Sequence, residues 1–285
     1  MPIPIIDTHL HLIYQDRLRY PWLADVPKLN RDFRLADYMA QAPGLGIETA
    51  LHMEVDVAEA DQESETAFVT GLGPPIAAAI ASCRPERADF AASLERIAAN
   101  PMVRGLRRIL HNAPDTLALD PLFAENLRRL SAFGLSFDLC VLARQLPIAA
   151  QLARSCPEVC FILDHCGGPE IATGDFAAWR DGIGLMAALP NVCCKISGIV
   201  AYAGAAWTIA DLRPYVEHCF QAFGWDRVVW GSDWPVCTLT ADLPRWVQAC
   251  RDLTSGCSDS EKERLFNRNA RRIYRLGAGS EGEGQ

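Results

Sequence analysis

The sequence lacks the features that would place this chain in a membrane or on nucleic acid. No apolar run approaches the roughly 20 residues that a membrane-spanning helix needs. Acidic residues outnumber basic ones by 35 to 27, which gives a formal net charge of −8. Arginines gather only in short groups, within 104–108 and 268–272, and such groups are typical of solvated helix faces. We therefore expect no nucleic-acid partner and no membrane partner.

Cysteine is plentiful, but the patterns that would give it a structural role are missing. The 11 cysteines form an odd number, and no pair has the C-x-x-C spacing of a zinc site. The chain opens without a recognisable secretory signal. Cys140, Cys160 and Cys166 lie in apolar runs that are typical of buried strands. We predict reduced, buried thiols in a cytoplasmic protein.

Eight short apolar runs, from residues 3–12 to "RVVWGSD" near the end, alternate with longer amphipathic stretches. Parallel strands that are buried on both faces read as near-continuous apolar runs. Eight strand–helix repeats in 285 residues match the size of a (β/α)8 barrel. An open, doubly wound sheet would carry a glycine-rich turn after its first strand, where this chain has "HLH". We predict one α/β domain, a (β/α)8 TIM barrel over 1–276, followed by a flexible tail over 277–285.

Ionisable residues cluster on the first predicted strand, in "IIDTHLHL". In a barrel, catalytic groups come from the C-terminal ends of the strands. Because side chains alternate along a strand, Asp7, His9 and His11 are predicted to share one face. Two imidazoles at this spacing can bind one divalent ion, with Asp7 orienting one of them. The alternative is a pair of structural, hydrogen-bonded histidines.

The eighth strand ends in "VVWGSDWP", which places Asp233 at the mouth of the barrel. The first and last strands become neighbours when a barrel closes, so His9, His11 and Asp233 are predicted to converge. Asp233 would then serve as a metal ligand and as the general base. The alternative is an aspartate that caps a turn or a helix.

Other strands offer further candidates for the pocket. In "ILDHCGGP" neighbouring side chains alternate, so we expect His165 to point inward and Asp164 outward. In "RGLRRILH" one of Arg107 and Arg108 should point inward, where it would bind a carbonyl or carboxylate oxygen of the substrate or, alternatively, form a salt bridge to a buried acid. Weaker candidates for substrate contact are Lys195, Trp22 and Glu54, which would otherwise pack or cap loops.

Seven motifs occur in order along the chain: "IDTHLHL", "RLRYPWL", "RGLRRIL", "LDHCGGP", "KISGI", "WGSDWP" and "KERLFNRNARRIY". Together they resemble the amidohydrolase superfamily, in the branch of sugar-lactone hydrolases and 2-pyrone-4,6-dicarboxylate lactonases. The resemblance implies that His9 and His11 bind a metal, that Asp233 is the general base and a frequent metal ligand, and that His165 and a strand-four arginine contact the substrate.

The chain also departs from the wider superfamily. The fourth strand has no lysine for carbamylation and the fifth strand, "LSFDLCV", has no histidine, so a two-metal centre is not expected. The expected cofactor is one divalent metal, zinc, although some lactonases of this branch work without a metal. The expected activity is hydrolysis of an aldono- or aldaro-lactone. A decarboxylase, a lactone isomerase, a non-catalytic binding barrel and a homo-oligomer stay open.

Overall fold

Eight parallel strands form one sheet in chain order in the computed structural model, which describes residues 3–277. The strands are β1 (Ile5–Leu10), β2 (Ile47–Met53), β3 (Ile76–Ser82), β4 (Val103–Ile109), β5 (Ser136–Cys140), β6 (Phe161–Leu163), β7 (Val192–Ile196) and β8 (Val228–Trp230). The predicted tail over 277–285 lies outside the described residues, apart from Gly277.

Helices follow the strands and surround the sheet. They are α1 (Leu35–Met39), α2 (Gln62–Thr70), α3 (Phe90–Ala98), α4 (Pro121–Arg128), α5 (Leu146–Ser155), α6 (Phe176–Ala187), α7 (Ile209–Phe223), α8 (Leu243–Leu253), α9 (Asp259–Glu263) and α10 (Asn269–Ile273), and a π-helical turn over Arg264–Arg268 joins the last two. Several begin with a capping aspartate, as in α6, where Asp175 accepts from the backbone N–H of Ala177 at 2.8 Å. Within 3–277, no helix is long and apolar enough to cross a membrane.

The sheet closes where the first strand meets the segment after the last. The backbone N–H of Asp233 donates to the carbonyl of His9, and that of His11 donates to the carbonyl of Trp234, both at 2.8 Å. These bonds tie residues 9–11 beside residues 233 and 234. The predicted (β/α)8 barrel is confirmed.

The lower part of the barrel interior, toward the N-terminal ends of the strands, is apolar. Its members are Ile6, Leu51, Met53, Ala78, Ile80, Ile162, Cys193 and Val229, together with Ala270 and Tyr274 from the C-terminal segment. That segment is fixed at this end because the side-chain amide of Asn269 donates to the carbonyl of Val228 at 2.7 Å. Tyr274, which is fully buried, therefore closes the bottom of the barrel.

All eleven cysteines are free thiols, and nine of them are buried. They pack as small apolar residues in the barrel and beneath its helices. This arrangement agrees with the prediction of reduced, buried thiols.

Candidate active site

The two strand-one histidines and the strand-eight aspartate meet at the C-terminal end of the barrel. One carboxylate oxygen of Asp233 lies 3.4 Å from Nε2 of His11 and 3.6 Å from Nε2 of His9. The two imidazole nitrogens are themselves 3.1 Å apart. All three side chains are at most 5% exposed. Residues more than 200 positions apart thus face one point, as the barrel topology predicts.

The prediction for Asp7 is wrong, because this residue does not share the face of the histidines. Its carboxylate accepts from the hydroxyl of Tyr38 on α1 at 2.8 Å and from the backbone N–H of Ser232 at the same distance. The pairing of β1 with β2 is irregular between Asp7 and Leu10, so simple alternation fails there. Asp7 joins β1 to a helix and to the loop after β8.

The prediction that Asp164 points outward is also wrong. Asp164 comes two residues after Ile162, which faces the barrel interior, so regular alternation turns it inward, with its carboxylate 3.4 Å from Nδ1 of His9. His165 and Cys166 both have φ of +53°, in the left-handed region, so the chain turns sharply after Asp164 and brings His165 to the site as well. The ring centre of His165 is 4.5 Å from that of His9.

Asp164 takes the orienting role that the sequence assigned to Asp7. Its carboxylate also contacts the ammonium of Lys195 at 2.9 Å and the guanidinium of Arg107 at 3.5 Å. Burial opposes ionisation, but Lys195 and His9 hold the pKa of Asp164 well below its ordinary value. An ionised carboxylate beside Nδ1 leaves Nε2 of His9 facing the site.

Arg107 is the strand-four arginine that lines the site. Its Nη1 lies 3.3 Å from Nε2 of His9, while its Nε donates to the Glu54 carboxylate at 2.6 Å and its Nη2 to the Glu54 carbonyl at 2.7 Å. Glu54 therefore fixes the arginine and does not line the cavity beside these groups. The prediction for Arg108 is wrong, because this residue points away and its Nε pairs with Glu86 at 2.9 Å.

Lys195 lies below the site and does not line the cavity. It is fully buried, and its ammonium pairs with Asp138 at 2.5 Å as well as with Asp164. Burial and the Asp164 charge raise the pKa of Asp138 to about 7, against the opposing effect of Lys195. Asp138, on β5, was not predicted to belong to the site. An acid at the centre of the apolar run "LSFDLCV" could have indicated it.

The donors at this point fit a divalent metal ion. Ligand atoms of His9, His165 and Asp233 lie within 4.8 Å of one another. Nδ1 of His11 lies 3.0 Å from the carbonyl of Met53, and a bond to that carbonyl requires the proton on Nδ1 and leaves Nε2 free to ligate. Burial holds the pKa of His9 well below its ordinary value, which keeps that imidazole neutral, the form that binds metals.

Gly198 provides the room for this arrangement. The residue has φ of +58°, and a Cβ there would collide with the imidazole of His165 and the carboxylate of Asp233. Nδ1 of His165 is 3.0 Å from the hydroxyl of Ser197, which fixes the ring. A glycine is required at this position by both its backbone angle and the close approach.

A cavity of about 470 Å³ opens onto these groups. Trp22, a predicted substrate contact, is part of its wall and is held by an indole N–H bond to the carbonyl of Val55 at 2.8 Å. The sequence prediction missed several other residues of the wall, which lie in loops between a strand and the next helix: Asp25, Asp56, His111, Asn112 and Tyr202.

Comparisons with known proteins agree on one family. The amidohydrolase family model matches residues 6–276. Two L-fucono-1,5-lactonases are each 33% identical: that of Burkholderia multivorans over 95% of this chain and 96% of its own length, and that of Burkholderia ambifaria over 76% and 74%. The crystal structure of a Burkholderia multivorans amidohydrolase with bound zinc has a TM-score of 0.87 and 28% identity, over 96% of this chain and 100% of that one.

Proposed function

We propose that this chain, a member of the amidohydrolase family, opens a sugar-acid lactone with an activated water. The family membership and the lactonase relatives establish a hydrolase that acts on cyclic esters. The observation that carries the proposal is the approach of the Asp233 carboxylate to both strand-one imidazoles, at 3.4 and 3.6 Å, at the end of the cavity. Two relatives that are 33% identical carry the name of lactonases of this kind.

Asp233 is the proposed general base and then the general acid. It accepts a proton from water as the water oxygen bonds to the lactone carbonyl carbon. The ring C–O bond then breaks, and Asp233 returns the proton to the ring oxygen. The product is the open hydroxy acid, so all atoms and charges balance.

Three further side chains act on the carbonyl group and on the position of the ring. Nη1 of Arg107 faces the site while Glu54 holds the rest of the guanidinium, so Nη1 can donate to the carbonyl oxygen as negative charge develops there. His165, fixed by Ser197, lines the cavity and would contact the substrate. Asp164 keeps the His9 ring in place.

A single divalent metal, zinc, would be held by His9, His11 and Asp233, with His165 within reach. Bound there, the ion would supply Lewis-acid polarisation of the carbonyl and a lower pKa for water. Metal analysis of the purified protein is expected to give one zinc per chain. The His11→Asn variant is expected to bind less zinc than the native protein.

The test of the proposed base is the Asp233→Asn variant, assayed with a panel of aldono- and aldaro-lactones by pH-indicator hydrolysis. We expect kcat to fall about 100- to 10,000-fold, the range for loss of general acid–base catalysis. The matched control is Asp181→Asn, which should retain native turnover, because Asp181 is an exposed aspartate on α6 that pairs with Arg180. Native kcat in Asp233→Asn would exclude the proposed base, and release of carbon dioxide from an acid substrate would identify a decarboxylase instead.

A further inference from the structure

The cavity wall carries more acid than base. Among its lining residues, the aspartates are Asp25, Asp56 and Asp233, and the single arginine or lysine is Arg107. Arg107 is 3% exposed and engages Glu54 through two of its guanidinium nitrogens. The third, Nη1, lies 3.5 Å from the Asp164 carboxylate and 3.3 Å from Nε2 of His9, so any contact it makes with substrate is at the reacting end of the cavity.

No second cation reaches the cavity from the positions that the sequence suggested. Arg108 pairs with Glu86 on the other side of β4, and Lys195 lies buried beneath the site. Lys28 is not part of the wall: it is exposed, and its ammonium donates to the carbonyl of Leu239 at 3.4 Å. His111 adds no charge at neutral pH, because burial and Arg107 lower its pKa to about 4.

Of the three aspartates in the wall, Asp25 is exposed and Asp233 lies at the histidines, so Asp56 is the partly buried acid that is left for other contacts with a substrate. It follows β2 and has φ of +47°, in the left-handed region. Its backbone N–H donates to the Glu54 carboxylate at 2.9 Å, so the same glutamate fixes both Asp56 and Arg107. Within residues 3–277, the Asp56 carboxylate has no hydrogen bond or ion pair, although the residue is half-buried in the cavity wall.

A half-buried carboxylate without a protein partner is suited to accept hydrogen bonds from vicinal hydroxyl groups. The neighbouring wall is apolar, formed by Trp22, Val26, Leu29 and Val55, and such a surface packs against the C–H face of a sugar. The combination suits a neutral, polyhydroxylated ring. It opposes a substrate whose far end carries a carboxylate, because two like charges repel across a partly dehydrated cavity.

We propose that Asp56 determines specificity, by accepting hydrogen bonds from the hydroxyls of a neutral aldonolactone and by excluding lactones that carry a second carboxylate. The inference rests on the proposed function, and it selects the aldono- over the aldaro-lactones within that function. It assigns Asp56 no part in the chemical step.

The experiment uses two lactones of the same stereochemistry, a hexono-lactone and the corresponding hexaro-lactone, which differ in a hydroxymethyl against a carboxylate at C6. The variant is Asp56→Asn, since asparagine tolerates a left-handed backbone and keeps the shape of the side chain. At pH 8, native kcat/KM should favour the neutral lactone at least tenfold, and the variant should reduce that preference about tenfold. Most of the change should lie in KM, and Asp181→Asn should leave the preference unchanged.

Equilibrium binding of the same two lactones to Asp233→Asn, and to Asp233→Asn combined with Asp56→Asn, separates this inference from the proposed function. If the native protein hydrolyses neither lactone, the proposed function fails, and the binding preference still decides the role of Asp56. If the aldaro-lactone is hydrolysed or bound as well as its neutral partner, or if Asp56→Asn leaves the preference unchanged in both measurements, the inference is overturned.

Discussion

The upper and lower halves of the barrel interior differ in composition, although the same strands build both. On β6, Ile162 belongs to the apolar lower cluster, and Asp164, two residues on, lies among the charges of the site. On β7, Cys193 and Lys195 repeat this step from apolar to charged. The lower half stabilises the barrel by removing apolar surface from water, whereas the upper half places charges where water is excluded, which is costly unless each charge is paired.

Because the two halves differ in this way, substitutions in them should affect stability and activity differently. The buried charges of the upper half are paired with one another: Lys195 forms ion pairs with Asp138 and Asp164, and Asp164 contacts and orients His9. A change in the upper half should therefore affect stability and catalysis together. A change in the lower half should affect stability alone.

The largest expected effect is that of Lys195→Met, which leaves Asp138 and Asp164 without their buried ammonium. Removal of one partner of a buried ion pair costs about 3–5 kcal/mol of unfolding free energy, measured by urea denaturation, and kcat/KM for the lactone substrate should also fall. In the lower half, the matched variant Ile80→Ala should cost about 2–5 kcal/mol with native kcat/KM. Equal losses of activity in the two variants would contradict the separation.

A smaller effect concerns the pH dependence of stability, which should come from the upper half. Burial lowers the pKa of His111 to about 4, against about 6.5 in an unfolded chain. The unfolded chain therefore takes up the proton first, and the folded state loses stability as the pH falls from about 6.5 to 4. His111→Gln should remove this contribution, which amounts to at most about 1.4 kcal/mol per pH unit.

The measurement is the melting temperature of both proteins at intervals between pH 7 and pH 4.5. The native protein should lose more of its melting temperature on acidification than His111→Gln does. Parallel curves would show that His111 is as easily protonated in the folded state as in the unfolded one.

The smallest expected effect is at the junction of the two halves. The Tyr274 ring lies in the lower cluster, with the ammonium of Lys195 5.9 Å from its centre, and its buried hydroxyl has no hydrogen-bond partner among residues 3–277. Tyr274→Phe keeps the ring and removes the hydroxyl, so stability should be unchanged or rise by up to about 1 kcal/mol. A loss of more than 1 kcal/mol in urea denaturation would show that the hydroxyl is engaged after all.

Much of the fold and part of the site could be predicted from the sequence. The eight apolar runs predict the barrel, and closure of a barrel then predicts that His9 and His11 meet Asp233. One group of features was missed because the backbone departs from regular strand geometry. The irregular pairing of β1 moves Asp7 to the helix side, and the left-handed turn at His165 brings that imidazole to the site together with Asp164.

The other missed features depend on contacts between distant elements. Whether Arg107 or Arg108 faces the cavity depends on the register of β4 against its neighbours. On one face of the strand Arg107 pairs with Glu54, and on the other Arg108 pairs with Glu86. Asp56 carries no motif, because its position in the wall comes from a loop conformation and from the Glu54 contact. The position of such residues in the cavity wall can be predicted only when the three-dimensional arrangement of the strands and loops is known.

The closure of the barrel floor by Tyr274 makes completion of the fold depend on residues that are synthesised after all eight strands. The ribosome produces all eight strands, through Trp230, before it produces the side chains that seal the lower cluster. A chain that ended after β8 would lack the side chains that cover this cluster, so its apolar surface would be open to water from that side. A stop codon shortly before residue 274 would therefore keep every residue of the candidate site and still remove the floor of the barrel.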